Sequence, residues 1–369
     1  MQAQSYAIYT NFADVSSGGK MTEKKYLKFI AYLQIIGIFL VVVGHSFHEY
    51  PDGEYGRSML LYRMMHSFRM PLFMFVSGFL MVYTTRSAVD GQRRGYTGTF
   101  VSLKLRRLLL PFAVLTLITF VPRAYFSPIA DETVEMNLDS LIRAFVYPHY
   151  MVIPYLWFLQ ASFTLLVVCF CILVLTSRLG IPAAAVDIVM IAVGAALLSA
   201  ASYLPSAFSL AYAGKLAVFF VLGIVYARNM DGVDVIMRWT SPFVFMLLWA
   251  IWVALFFALE GSSWMPLCSV AGIGACISGA KILEERRITL LDPFFGANYM
   301  IFLLSWYFNV LSQQVLGHFV RLPWQVHTVL SLLSGIFVPY LFYRYMQRHP
   351  DSAPVRLCAF LLGQSLKRR

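Results

Sequence analysis

The sequence predicts an all-α polytopic membrane protein of about ten transmembrane helices, with both termini on the inner side. Three observations carry that class. Of 369 residues, 59% are hydrophobic and 13% charged, against about 25% charged in soluble domains, and mean hydropathy is +0.70. The apolar residues gather into ten runs, each long enough to cross about 30 Å of hydrocarbon. The net charge of +11 is laid out as topology: of the 29 Lys and Arg, all but Arg57, Arg63, Arg69, Arg123, Arg143, Lys215 and Arg321 lie before the first run, in alternate connections, or beyond the last run. That is the positive-inside pattern, and it argues against nucleic acid as the partner of the basic charge.

Residues 1–25 are polar and lead into Lys24, Lys25 and Lys28. They hold no short apolar core with a cleavage site, so the first span is expected to be an uncleaved anchor. The spans are predicted at Phe29–Phe47, Met59–Tyr83, Leu108–Phe126, Val152–Thr176, Ile181–Tyr203, Phe208–Ala227, Pro242–Leu259, Trp264–Ile282, Leu290–Val310 and Trp324–Tyr345. The expected organisation is a cytoplasmic segment 1–25, a membrane domain 26–348 and a cytoplasmic basic tail 349–369. Within the tail, Pro354–Arg369 reads as a short amphipathic helix on the inner surface. The longest outer connection, Ser127–Met151, carries Asp131, Glu132, Glu135 and Asp139. Trp239, Trp264 and Trp324 fall at predicted interfaces, where amphipathic rings belong. The five cysteines are odd in number and sit in or beside apolar segments, which is no disulfide framework.

The functional signal lies in the polar residues of the first two spans. Gln34 and His45 are eleven residues apart, almost three helical turns, so they share a face about 16 Å apart along the axis. Polar groups inside a membrane are costly and are functional candidates by default. Glu49, four residues after His45, is placed to orient its ring, and a neutral imidazole is the form a general base needs. In the second span Arg63, His66 and Arg69 follow i, i+3, i+6 along one face. Two arginines in one apolar span require a cavity, a partner or a nearby interface. Pro71 removes the backbone bond to the Ser67 carbonyl and is expected to kink the helix beside Arg69.

Lys215, in the outer half of the sixth span, is placed either to pair with Glu260 or to serve a site. Asp187 and Asp292, near inner helix starts, read as helix-dipole partners. His149, His318, His327 and His349 read as ordinary residues. Metal binding is not expected: His45 and His48 are three apart, but no second pair completes a ligand set. No phosphate-cradling glycine loop or serine nucleophile elbow is present in the sequence.

Several blocks together resemble the acyltransferase-3 family of integral membrane acyltransferases, in its sugar O-acetylase-like branch. They are Ile36-Gly37-Ile38 through Val42-Val43-Gly44-His45; Phe68-Arg69-Met70-Pro71-Leu72-Phe73 with Ser77-Gly78-Phe79; Arg106-Arg107-Leu108-Leu109-Leu110-Pro111; and Leu156-Trp157-Phe158-Leu159. Gly296 and Tyr299 match more loosely. The resemblance spans nearly the whole chain. It implies ten core helices and transfer of an acyl group from cytoplasmic acyl-CoA to a glycan or other acceptor, commonly outside the membrane. It also puts His45 at the family's essential histidine. Two departures matter: Gln34 stands where the family usually has Arg or Lys, and Ser305 where a histidine often follows the Gly/Tyr motif. Gln34 can hydrogen-bond a carbonyl or a pantetheine amide but supplies no charge, which shifts oxyanion stabilisation to Arg69, Arg63 or Lys215.

The expected function is therefore a membrane O-acyltransferase using acetyl-CoA as donor and no metal. His45 is the general base or transient acyl carrier, Arg69 the oxyanion partner and Glu49 the orienting carboxylate. Gln34, Arg63, His66, Trp157 and Lys215 are expected to bind substrate. Arg93, Arg94, Arg106 and Arg107, with Lys104, are expected to meet the nucleotide end of acyl-CoA, because guanidinium groups suit phosphate. The acceptor, a glycan or lipid-linked saccharide, is expected near Trp157 and the Tyr147–Tyr155 stretch, where aromatic faces either stack on sugar rings or form an interfacial belt. The other expected partner is the lipid bilayer of a bacterial-type inner membrane; a homodimer is compatible with the sequence. Two rival readings remain: a transporter of a glycan or acidic small molecule, and a structural scaffold, which explains the apolar bulk but not the polar stripe.

Overall fold

The computed structural model describes residues 27–47, 56–89, 96–126, 134–150, 154–319 and 323–366. Among these, regular structure is entirely helical. The α-helices are α1 (Lys28–Ser46), α2 (Gly56–Val89), α3 (Tyr96–Lys104), α4 (Leu110–Phe126), α5 (Leu138–Val146), α6 (Trp157–Arg178), α7 (Ala183–Ser199), α8 (Leu210–Met237), α9 (Pro242–Leu259), α10 (Met265–Glu285), α11 (Asn298–Phe319), α12 (Trp324–Arg348) and α13 (Ala353–Leu361). A π turn, Leu105–Leu109, joins α3 to α4. The chain is an all-α polytopic membrane protein.

Each predicted span is a helix. Among the described residues, eight stretches are long and apolar enough to cross a membrane: α1, Leu60–Thr85 of α2, Tyr96–Tyr125 through the π turn, α6, Ala207–Met237, α9, α10 and α12. The remaining two differ for separate reasons. α7 is only 17 residues long. α11 has 22 residues but carries Ser305, Asn309, Ser312 and Gln313 along its length.

Boundaries moved where backbone chemistry outweighs hydropathy. α11 begins at Asn298 rather than Leu290, because Asp292–Phe294 forms a 3-10 turn containing Pro293 and Gly296 adopts φ +82°, a left-handed conformation that glycine tolerates without steric cost. α6 starts at Trp157 rather than Val152, after a 3-10 turn at Pro154–Leu156. α8 runs past Ala227 to Met237, crossing a non-helical Asn229 (φ −115°, ψ 18°). The outer connection contains α5, with Asp139 paired to Arg143 at 2.7 Å. Trp239, predicted at an interface, is buried.

The chain divides into two units: residues up to Val76 with Met230–Pro350, and Ser77–Asn229 with Asp351–Ser365. In the first, α1 packs against α10, α11 and α12. Its N-terminal end is tied down by Lys28, whose Nζ lies 2.8 Å from Asp292 Oδ2, and by Tyr32, whose hydroxyl is 2.8 Å from both Asp292 Oδ1 and Ile288 O. Asp292 is thus an ion-pair partner of α1 rather than a helix-dipole residue. The opposite face of α1 meets α2: a Cβ at Gly37 would sit 3.4 Å from Phe73. α2 in turn lays Phe68 against Gly272 and Trp252, with ring centroids 5.2 Å apart for the latter pair.

In the second unit, Gly78 lets α2 approach the Phe220 carbonyl of α8 so closely that any Cβ would overlap it. Small residues permit such close helix packing within membranes. Asp187, expected to act through the helix dipole, is paired with Arg228. Phe100 stacks on Phe170 at 4.1 Å. The tail helix α13 docks on the π turn: the Arg106 guanidinium lies 4.6 Å from the Phe360 ring centroid, and Gly363 (φ +63°) turns the chain against the Arg106 carbonyl.

Candidate active site

The site grows from the last turn of α1 and the segment of α2 facing it, both in the first unit. His45 is half-buried in that last turn. On α2, Tyr62, His66 and Arg69 are spaced four and three residues apart, which puts them on one face. Arg69 is 5% exposed. Its Nη2 is 2.8 Å from His66 Nδ1; a guanidinium only donates, so Nδ1 accepts and the ring proton sits on Nε2. The same Nη2 donates to Tyr62 Oη at 3.4 Å, and the guanidinium carbon lies 5.2 Å from the Tyr62 ring centroid. Tyr62 and His66 stack at 5.6 Å.

The rest of the guanidinium reaches α1. It lies so close to Gly44 that any Cβ there would overlap Nη1 and come within 2.7 Å of Cζ. Only a glycine beside the histidine admits this arrangement. His45 is within electrostatic reach of both Arg69 and His66. Arg69 Nε and Nη1 are buried, and neither has a hydrogen-bond partner among the described residues. Leaving a buried charged donor unpaired costs more than leaving a neutral one, and these two nitrogens have donor capacity open to a negatively charged group beside His45.

The α2 segment is tied to its neighbours through the acceptor that the proline frees. The helix continues through Pro71, and the Ser67 carbonyl that Pro71 leaves without a backbone donor accepts the Ser269 hydroxyl of α10 at 2.6 Å. Trp252 Nε1 donates to Ser67 Oγ at 3.2 Å. The freed acceptor therefore anchors α2 to its neighbours two residues before Arg69.

Of the sequence-predicted site residues, His45, His66 and Arg69 are brought together. Arg63 is exposed on the same helix and pairs with Glu260 at 3.2 Å, the carboxylate that the sequence offered to Lys215. Gln34 lies toward the other end of α1, its Oε1 accepting from Asn298 Nδ2 at 3.1 Å.

Trp157 and Lys215 belong to the second unit, where both meet Tyr212. The Trp157 and Tyr212 rings are 4.5 Å apart, and Lys215 Nζ is 5.5 Å from the Tyr212 centroid. His149, read as ordinary, joins them at 4.6 Å from Tyr212. Arg106 and Arg107 lie in the π turn. Glu49, Arg93 and Arg94 lie outside the described residues.

Sequence reasoning missed Tyr62, Asn298, Asn309 and Gln313. Tyr62 stands one turn before His66, a visible spacing. The amides of α11 are polar groups inside an apolar run, the same signal that singled out His45.

Fold and site together define a multi-pass helical membrane protein with a sheltered imidazole–guanidinium centre between its first two spans. A family model describing an acyltransferase domain, Acyl_transf_3, matches residues 27–344. The chain belongs to the acyltransferase-3 family and is a membrane acyltransferase. No curated protein and no solved structure matches it.

Proposed function

We propose that the protein is an O-acyltransferase of a bacterial-type inner membrane. It moves an acetyl or other short acyl group from cytoplasmic acyl-CoA to a hydroxyl of a cell-surface glycan or lipid-linked saccharide, as in the sugar O-acetylase-like branch. One observation carries this reading: the buried Arg69 guanidinium lies against Gly44, beside His45, with two nitrogens that have no hydrogen-bond partner among the described residues. Attack of a hydroxyl on a thioester needs a proton acceptor at the nucleophile and fixed positive charge at the carbonyl oxygen. His45 accepts the hydroxyl proton as the new C–O bond forms, Arg69 stabilises the oxyanion, and collapse breaks the C–S bond, with the imidazolium returning its proton to the CoA sulfur. Alternatively His45 first carries the acyl group itself.

Gln34 and Gly37 lie on the pantetheine side of this reading, Gln34 as a hydrogen-bonding group. Arg106 and Arg107, with Arg93 and Arg94, are assigned to the phosphates of the donor. The charge distribution favours both termini inside, which puts the nucleotide end of the donor in the cytoplasm. Trp157, Tyr212 and His149, with Lys215 at their edge, have the aromatic and cationic character that suits a saccharide.

The test is transfer by the purified protein in lipid vesicles supplied with label-bearing acetyl-CoA and a lipid-linked saccharide. The reading expects label recovered as an alkali-labile ester on the saccharide. Saccharide crossing the vesicle wall with no label on any acceptor would instead establish a transporter.

A further inference from the structure

We propose that Gln313 of α11 is a positioning residue for His45: its side-chain amide fixes the end of α1 and so the direction in which the imidazole is presented. This rests on the reading of His45 as the group that takes the acceptor's proton.

A helix leaves its last carbonyls without backbone donors. α1 ends at Ser46, with Phe47 extended (φ −74°, ψ 118°), so the carbonyls of His45 and Ser46 belong to the helix's last turn. Gln313 Nε2 lies 3.1 Å from His45 O and 3.2 Å from Ser46 O. It is also 3.2 Å from Ser331 Oγ of α12. An amide NH₂ has two hydrogens, which the two carbonyls and the Ser331 hydroxyl share.

One turn earlier on α11, Asn309 Nδ2 is 3.2 Å from Val42 O and 3.4 Å from Ser46 Oγ, and Ser46 Oγ itself donates to Val42 O at 2.8 Å. Gly335 of α12 makes the room, since a Cβ there would overlap Asn309 Oδ1. Ser46, Asn309, Gln313 and Ser331 are all buried. The last turn of α1 is thus capped from the side by two amides of a neighbouring helix, and one of the capped carbonyls is that of His45 itself.

Such a cap acts on angle more than on existence. α1 would persist without it, because Lys28 and Tyr32 tie down its other end. The final turn would lose its fixed direction. A displacement of about 1 Å at a reacting group costs on the order of a hundredfold in rate.

The experiment compares Gln313→Leu, nearly the same shape without donors, with Ser334→Ala. The latter removes the Ser334 Oγ to Phe308 O bond (3.1 Å) between α11 and α12, which does not involve α1. For each, kcat and the KM for acetyl-CoA are measured in vesicles, together with thermal unfolding, in the His45 and His45→Ala backgrounds.

The proposal expects Gln313→Leu to lower kcat about 10- to 100-fold with KM within about twofold, Ser334→Ala to leave kcat unchanged, and no further loss from Gln313→Leu once His45 is removed. It is overturned if Gln313→Leu keeps kcat within about threefold of wild type, if both variants lose activity in step with stability, or if the Gln313→Leu loss persists in the His45→Ala background. A His45→Ala protein with full activity overturns the base assignment and this proposal with it, whereas an inactive His45→Ala beside an unaffected Gln313→Leu removes the positioning role alone. Should Gln313→Leu fail to accumulate, Gln313→Met keeps the side chain's length, lacks the donors, and carries the same expectations.

Discussion

At Arg69 one guanidinium nitrogen serves His66 and Tyr62, while two others are buried with no hydrogen-bond partner among the described residues. The first contact orients the group; the second supplies what a developing negative charge would meet. Lysine keeps the charge but not the planar, multi-donor fork. Arg69→Lys is expected to lower kcat about 10²- to 10³-fold, the usual cost of removing an oxyanion donor, as read by transfer assays at matched protein levels. Gly44 is the counterpart on α1. Gly44→Ala adds a methyl where the guanidinium already lies, and kcat is expected to fall at least about tenfold as Arg69 is pushed off its position, with α-helical content by circular dichroism unchanged. The two central residues, His45 and Arg69, were legible in the sequence because an ionisable group within an apolar run stands out. Tyr62 was not, because aromatic rings near a span end are ordinary belt residues. Glycine 44's role was equally hidden, since only the fold reveals which side chain fills the space beside it.

Among the elements, α2 depends on a bond made outside itself. Pro71 deprives the Ser67 carbonyl of its backbone donor, and Ser269 of α10 supplies the replacement at 2.6 Å. Ser269→Ala leaves that buried carbonyl unsatisfied and is expected to destabilise the protein by about 0.6–2 kcal/mol, read as a lowered midpoint of thermal unfolding in detergent. The proline and its freed acceptor were readable from sequence; the donor was not, because it lies 202 positions further along the chain. α11 shows the other limit. Hydropathy drew the ninth span from Leu290, but the Pro293 turn and left-handed Gly296 delay the helix to Asn298. The shift is what places Asn298 at the helix start, where its side chain meets Gln34. The polar residues that weaken the apolar signal of α11 are those that hold the end of α1.

For the whole molecule, composition and charge layout were enough for the class. An apolar chain with its cations in alternate connections has few soluble alternatives. They were not enough for packing, because lipid-facing and helix-facing apolar residues look alike in sequence. This is why α1 emerges as a helix lodged among α2, α10, α11 and α12 only once the coordinates are in view. Among the described residues, length and hydropathy likewise single out eight stretches able to cross a membrane, while α7 and α11 are helices that fall outside them. Near the end of the chain, the tail expected as a short surface helix forms α13, which packs Phe360 under Arg106.

The most direct measurement is the turnover of His45→Gln in vesicles with labelled acetyl-CoA, alongside a thermal unfolding curve showing that the variant is folded. Glutamine keeps a hydrogen-bonding side chain but accepts no proton at working pH. The account expects transfer to fall at least about a hundredfold, the scale of a lost general base, with unfolding little changed. A folded His45→Gln protein that transfers acetyl at close to the wild-type rate would contradict it.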